Sequence, residues 1–463
     1  MRTTESVDVK SFRHILVRCR PRGIANRRIV LIRWIAEEGT EPPAHRLFID
    51  GVWKEPVAGG YFTDHSPATG RKLAQIADVG VADVEQAVAA AVAAQPGWSA
   101  LTPAERSEVF YRAADIFAER QDELVGLLCE ETGSGYGKAA YEASLVPLAL
   151  RDAAGLTTHD LGEILPSNIP GKVNRTLRTP VGVIGVITPW NFPLYLTIRG
   201  FVHAMALGNA IVLKPAEDSP VIGGLALAEL FTDAGLPPGI LNVITASREN
   251  AAMVGEFLTD DKRVPVLSFT GSSAVGRTLA VACAENFKRI KLELGGKNPV
   301  IVLPGADIDR AVEIVGFAGF LHQGQICLSA DRILVSQEQY QEFVQKIIAR
   351  AKTFVPTLPS DPNCVNGPII NTRQLERIVA LIEESEAAGA KVHCGGRAQP
   401  PYYESTVITD VTPQMRIWRE EIFGPAVIVT PYSNVDQAVE LANGLFTDEG
   451  VDAVAAVGAS LPG

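Results

Sequence analysis

The sequence predicts an α/β protein built on two parallel-sheet units, and three observations carry that prediction. The chain has 463 residues, more than one compact core accommodates, so two or three domains are expected. Between residues 181 and 303, β-branched runs alternate with stretches of helical apolar spacing, the pattern of right-handed βαβ units feeding a parallel sheet. A second alternation of the same kind spans residues 332–430.

Composition narrows the class further. Apolar residues make up 47% and charged ones 21%, as in ordinary soluble globular proteins. The net charge of −11 and the lack of a basic patch argue against a nucleic-acid partner. The six cysteines are scattered, with no C-x-x-C pair and no Cys/His cluster. That argues against a disulfide framework and a structural zinc site, predicts no metal, and suits a reducing compartment. No apolar run is long enough to span a membrane, so the expectation is a cytoplasmic protein. Residues 1–45 differ from the rest, with eight Arg and one Lys against five acids. They read as a basic, poorly ordered extension rather than a presequence, because Glu5 and Asp8 sit badly in one.

Residues 47–56 read as a strand pair turned at Asp50-Gly51, a strong hairpin dipeptide. A second turn follows at residues 66–70. Val81, Val84, Val88, Ala91 and Val92 recur at helical spacing. Thr102-Pro103-Ala104-Glu105 is a capping box with Pro at the first helical position. It predicts one helix to about residue 120 and another over 121–132. Residues 162–180 lose the helical period and read as a polar hairpin, either an arm contacting another subunit or a plain surface hairpin.

Residues 181–187, V-G-V-I-G-V-I, have the continuous apolar character of a strand buried on both faces. That strand ends in Thr188-Pro189-Trp190-Asn191-Phe192-Pro193. The next, 210–213, ends in Lys214-Pro215-Ala216-Glu217, and a helix over 221–234 leads to strand 241–244. Strand 266–269 ends in Thr270-Gly271-Ser272 with Gly276 following, and strand 290–294 ends in Glu293-Leu294-Gly295-Gly296-Lys297. In such sheets ligands bind beyond the carboxyl ends of the strands, where all these polar residues fall. Helices over 309–321, 339–352 and 372–388 with strands 300–303, 332–335, 391–393 and 427–430 form the second unit.

Each candidate has a plain alternative. Gly271 and Gly276 at a strand-to-helix turn offer backbone N–H groups to a phosphate, or are only a tight turn. Lys214 and Glu217 sit where charged groups meet ribose hydroxyls, or are solvated charges. Glu293 before a Gly-Gly pair faces a cavity, or pairs with Lys291 or Lys297. Asn191 suits an oxyanion, or is a turn residue. Cys327, in F-L-H-Q-G-Q-I-C, is either a reactive thiol at a loop or a buried small hydrophobe. A Cys/His hydrolase using His322 lacks any surrounding signature.

Taken together, T-P-W-N-F-P, K-P-A-E, F-T-G-S, E-L-G-G-K, Q-G-Q-x-C and E-E-I-F-G-P stand in the order and spacing of one family. Over residues 47–443 the chain resembles the aldehyde dehydrogenase superfamily. The resemblance implies that family's α/β fold, two doubly wound parallel-sheet domains with a protruding β-hairpin arm at 162–180. It implies a dinucleotide domain over 46–292 and a catalytic thiol domain over 293–463. Cys327 would be the nucleophile, Glu293 the general base and Asn191 the oxyanion donor. Thr188, Pro189, Trp190, Lys214, Glu217, Gly271, Ser272, Gly276, Leu294, Gly295, Gln374, Glu421 and Phe423 would hold the dinucleotide. The expected reaction is oxidation of an aldehyde to its acid, the hydride passing to the cofactor and a cysteine thioester being hydrolysed. A free thiol titrates near about 8.5, so a site that favours thiolate is expected. Glu217 predicts NAD over NADP, because a carboxylate repels a 2′-phosphate. Residues 192–206 look like the benzaldehyde and vanillin dehydrogenase branch, which implies an aromatic aldehyde, and a homodimer or homotetramer is implied as well.

Two departures stand out. Ala246-Ser247-Arg248 replaces the family's G-x-G after the third strand. Residues 444–463 do not read like the family's continuation, and its late Pro-Phe-Gly-Gly loop and final strand have no counterpart. The alternative reading is therefore a non-catalytic member that acts at most as a binding or interaction protein.

Overall fold

A computed structural model describes residues 34–57, 59–159 and 161–444. Seven strands form the first sheet, in the order Arg289–Glu293, Val266–Thr270, Val183–Ile187, Ala210–Lys214, Leu241–Val243, Leu47–Ile49 and Val52–Lys54. The first five are parallel, and the hairpin at Asp50-Gly51 adds the last two antiparallel. The strand order reverses between Val183–Ile187 and Val266–Thr270, so the crevice where doubly wound sheets bind ligands opens beyond these two strands. Register carries the polar ends into one row there: Thr270 faces Glu293, Phe269 faces Ile187, and Ile187 faces Lys214.

The second sheet runs Pro299–Val302, Arg332–Ser336, Ala426–Tyr432, Thr406–Thr409 and Lys391–Cys394, the last antiparallel. Alternate residues of its central strands enter separate cores. Leu334, Ile408 and Ile428 pack with the helix Thr372–Ala387 on one face. Ile333, Val335, Val407, Val427 and Val429 pack with Ile308–Phe320 and Tyr340–Ala351 on the other. A strand covered on both faces has to be apolar throughout, hence the unbroken runs in the sequence. The hairpin Gly162–Leu165 with Asn174–Leu177 stands out from the body, every residue exposed.

Several local expectations are corrected. Residues 103–132 form one helix, Pro103–Thr132, not two. The Thr102–Glu105 capping box starts it, and Gly133 at φ 67° ends it. Arg120, where a break was expected, is tied to Glu123 and Glu229 and stays helical. The helix expected over 221–234 opens instead as a π-helical turn, Val221–Leu225, and becomes α-helical only over Ala226–Asp233. Glu131 takes the Val221 and Ile222 N–H groups at 2.7 Å each, holding that widened turn. The helix Tyr136–Leu156 lies in a stretch for which the sequence suggested no element. The basic extension cannot reach residue 45, because Trp34 and Ile35 are in the core and Ala44–His45 pairs with Lys72–Asp78. Residues 1–33 and 445–463 lie outside the described residues.

Candidate active site

The loop that carries Cys327 is shaped by backbone that few residues adopt. His322, Gln323 and Gly324 all have positive φ, at 51°, 56° and 63°. A Cβ on Gly324 would fall on the carbonyl of Gly424, so only glycine closes the turn there. Buried amides then pin the loop. Gln323 Nε2 donates to Pro368 O at 2.7 Å, and Gln325 Oε1 accepts from Ile370 N at 3.1 Å. Asn298 Nδ2 donates to Cys327 O at 2.7 Å and to Ser329 O at 2.9 Å. Cys327 itself is left half-buried at the surface of this rigid loop. His322 is fully buried with its ring edge-on to Phe192, and burial with Lys138 nearby pushes its pKa well down. It is a packing residue.

Asn191, from the end of strand Val183–Ile187, reaches this loop across 134 positions of sequence, its Nδ2 donating to Gln325 O at 3.0 Å. One amide hydrogen bonds the thiol loop, and the amide's second N–H is left for another acceptor. The Asn191 carbonyl accepts from the buried Lys138 Nζ at 2.6 Å, and Lys138 in turn pairs with Glu142 at 2.6 Å. Glu142 closes the arrangement by accepting from the N–H groups of Leu194 and Tyr195, where the helix Pro193–Ala206 begins.

Glu293 ends its strand beside Arg199, Nη2 to Oε2 3.1 Å, with Lys291 at 3.7 Å. Lys297, the other partner considered, pairs with Asp331 instead. The Cys327 thiol senses both Glu293 and Arg199. Burial pushes its pKa up, Glu421 and Glu293 push the same way, and Arg199 pulls it down. Burial thus works against the thiolate, and among the described residues Arg199 is the cation that favours it.

The residues expected to hold a dinucleotide fall into three groups, two along the edge of the seven-stranded sheet and one drawn mainly from the five-stranded unit. Lys214 is buried, with its Nζ 3.7 Å from Glu217, so it is not a solvated charge. Thr188 N donates to the Lys214 carbonyl, and Gly271 N to that of Glu293, which fixes the neighbouring loops to the row. Ser272 caps the helix Ser273–Glu285, and a Cβ on Gly276 would strike Leu294. In the third group Trp190 stacks edge-on to Phe423, with ring centroids 5.3 Å apart, and Gln374 Nε2 donates to Phe423 O at 2.9 Å. The carboxylate of Glu421 lies where a Cβ on Gly295 would be, and its Oε1 is buried without a partner. Burial first, then the charge of Asp331, pushes Glu421 up to about 8.

The aldehyde dehydrogenase family profile matches residues 53–452. The chain belongs to the aldehyde dehydrogenase family. It is 40% identical over 391 residues to a benzaldehyde dehydrogenase [NAD(+)] of Pseudomonas putida, covering 84% of this chain and 79% of that protein. Identity to a vanillin dehydrogenase of Amycolatopsis is 39% over 393 residues, 85% and 80% of the two chains. Its fold is similar to the crystal structure of a salicylaldehyde dehydrogenase from Pseudomonas putida G7 complexed with salicylaldehyde. That likeness has a TM-score of 0.84 at 32% identity, over 87% of this chain and 83% of the other. The family match continues past Asn443 to residue 452, so the departure expected from 444 onwards is placed too early.

Two features of this aldehyde dehydrogenase fit a nicotinamide dinucleotide. An orphaned buried carboxylate oxygen on Glu421 awaits a donor such as a ribose hydroxyl, and Gly271 and Gly276 keep the strand-to-helix turn free of side chains. Sequence reasoning missed Arg199, Lys138, Glu142, Asn298 and Arg377. Asn298 had a legible signal, since it stands inside the E-L-G-G-K-N-P stretch. Arg377, which donates to the carbonyls of Glu421 and Ile422 at 2.6 and 3.0 Å, had none. A cavity of about 490 Å³ beside the Thr63–Gly70 turn shares Glu217 with the site, but neither Cys327, Glu293 nor Asn191 lines it.

Proposed function

We propose that the enzyme oxidises an aromatic aldehyde to its carboxylic acid through a covalent intermediate on Cys327. The observation that carries this reading is the Asn191–Gln325 hydrogen bond, which brings a spare amide N–H to the loop bearing the thiol, with the Glu293 side chain acting on the same thiol. The Cys327 thiol first gives its proton to solvent; Sγ then adds as thiolate to the aldehyde carbon, and the developing alkoxide accepts from Asn191 Nδ2. A bound nicotinamide dinucleotide supplies the acceptor for the aldehyde hydrogen, which leaves as hydride. Glu293 then takes a proton from water, and the resulting hydroxide cleaves the Cys327 thioester to release the acid. For Glu293 to act, its carboxylate has to leave Arg199.

The cofactor groups described above support NAD in particular, with Lys214 and Glu217 on the adenosine ribose and Glu421 on the nicotinamide ribose. The seven-stranded unit is assigned to the dinucleotide and the five-stranded unit to the thiol. The aromatic substrate rests on the names of the relatives and on residues 192–206. The exposed hairpin arm supports a homodimer or homotetramer. NADH formation from NAD and benzaldehyde by the purified protein tests the reading. It is expected in the wild type and absent in Cys327→Ala; a panel of aliphatic aldehydes preferred over benzaldehyde would overturn the substrate class.

A further inference from the structure

Lys297 and Asp331 enter none of the steps described above, yet they stand where three segments of the site meet. Both are buried, and Lys297 Nζ lies 3.3 Å from Asp331 Oδ1. Asp331 N and Arg332 N donate to Asn298 O at 3.2 and 3.0 Å, and Asn298 is the residue that holds the Cys327 carbonyl. Arg332 Nε and Nη2 donate to Lys297 O at 3.2 and 3.0 Å. On the other side, the Gly296 N–H acts on Glu421 and the Ile422 N–H acts on Asp331. The segment after Glu293, the end of the thiol loop and the Glu421–Phe423 stretch are therefore laced together through one buried ion pair.

Two buried groups in this unit are incompletely used. An ammonium has three N–H donors, and the single contact of Lys297 with Asp331 uses at most one of them. Glu421 Oε1 lacks a partner as well. The charges facing Glu421 are Asp331, which opposes its ionisation, and Lys297 and Arg377, which favour it. Cys327 lies within reach of the Glu421 charge, and the neighbouring Glu420 is tied to Arg416 at 2.9 Å. Arg377 is partly exposed and already donates to the carbonyls of Glu421 and Ile422. Lys297 is the buried cation of the set, and a buried charge is screened far less than an exposed one.

We propose that Lys297 is a positioning residue for cofactor binding that acts through Glu421, keeping that carboxylate charged and in place to accept from a ribose hydroxyl. Asp331 is its counterweight, and it ties the same unit to the Cys327 loop through Asn298. The inference rests on the assignment of Glu421 to the nicotinamide ribose. A charged carboxylate accepts a hydrogen bond about twice as strongly as a neutral one, so NADH binds more tightly once Glu421 has lost its proton. Lys297 and Asp331 act on Glu421 with opposite signs. That opposition separates positioning by charge from a role in packing alone.

Fluorescence titrations of the full-length protein with NADH, from about pH 6 to about pH 9.5, test it. The wild type is expected to bind more tightly as pH rises, and Glu421→Gln to bind more weakly with a flat profile. Lys297→Met should move the rise to higher pH by about half a pH unit or more, and Asp331→Asn should move it to lower pH. The Asp331→Asn arm stands by itself if Lys297→Met does not fold. Lys297→Met with Asp331→Asn strands neither charge, and its rise should lie between those of the two single variants. Damage to packing would weaken NADH in every variant without parting the profiles. Profiles that stay put or move the same way in the two single variants, with Glu421→Gln flat, overturn the inference and leave the cofactor assignment intact. A wild type with no rise overturns it as well. Glu421→Gln binding NADH like the wild type at every pH overturns the cofactor assignment itself.

Discussion

Arg199 Nη2 holds Glu293 Oε2 at 3.1 Å, and the same guanidinium acts to lower the Cys327 thiol. A single residue on the helix Pro193–Ala206, eight positions after Asn191, thus faces both the proposed base and the proposed nucleophile. Replacing it separates the two effects. In Arg199→Gln the thiol loses its cation, so the pH profile of Cys327 alkylation should move to higher pH by about half a pH unit or more. Peptide mass spectrometry after timed iodoacetamide treatment reads this directly, and an unmoved profile would show that Arg199 does not act on the thiol.

Glu421 gives the fold a pH dependence of predictable sign. Its carboxyl rises from 4.5 to about 8 on folding. A group raised in this way contributes stability that is fully present below its unfolded value and is lost as pH climbs through its folded one. Urea midpoints of the wild type should therefore fall between about pH 5 and pH 8. Glu421→Gln should flatten part of that fall. Glu131, also pushed up to about 8 by burial, leaves a residual slope of the same sign in both proteins. Parallel slopes in the two proteins would contradict the account.

The buried pair of Lys138 and Glu142 is expected to matter through Asn191 rather than through direct chemistry. Lys138→Met strands a buried carboxylate and should cost about 3–5 kcal/mol in urea unfolding. Lys138→Met with Glu142→Gln removes both charges and should recover part of that loss. Both proteins should still lose about tenfold or more in kcat, because the Asn191 carbonyl has no anchor, while NADH affinity stays unchanged. A double variant with full kcat would mean that the oxyanion loop needs no support from this pair.

Ile164 and Leu177 lie on one face of the hairpin arm, 74% and 68% exposed. In the proposed oligomer a second subunit would cover these apolar side chains. Ile164→Asp with Leu177→Asp should shift the protein to a smaller species by light scattering, without changing the circular dichroism. A mass unaltered by both changes would remove the arm from the interface.

Much of this molecule could be read from local sequence, for a physical reason. Strands buried on both faces write themselves as apolar runs, and residues at their carboxyl ends are brought to one edge by the parallel topology alone. That is how Asn191, Lys214 and Glu293 were legible as residues of one edge, while the Gly271 turn follows from the next strand in the same row. What local sequence does not encode is charge compensation between distant segments. The partners of Glu293, Glu217 and Asn191 turned out to be Arg199, Arg248 and Lys138, each from a helix whose periodicity gives no hint of its target. The long helix Pro103–Thr132 was misjudged for a related reason. A polar stretch at Arg120 resembles a break locally, but Glu229 from another segment holds it.

The central claim is that Cys327 carries the substrate covalently. The direct measurement is intact and peptide mass spectrometry of the Glu293→Gln variant, quenched in acid after mixing with benzaldehyde and NAD. A benzoyl adduct on the Cys327 peptide, accompanied by a burst of NADH equal to the active sites, is the predicted result. NADH formation with no adduct, or an adduct on another cysteine, would contradict it.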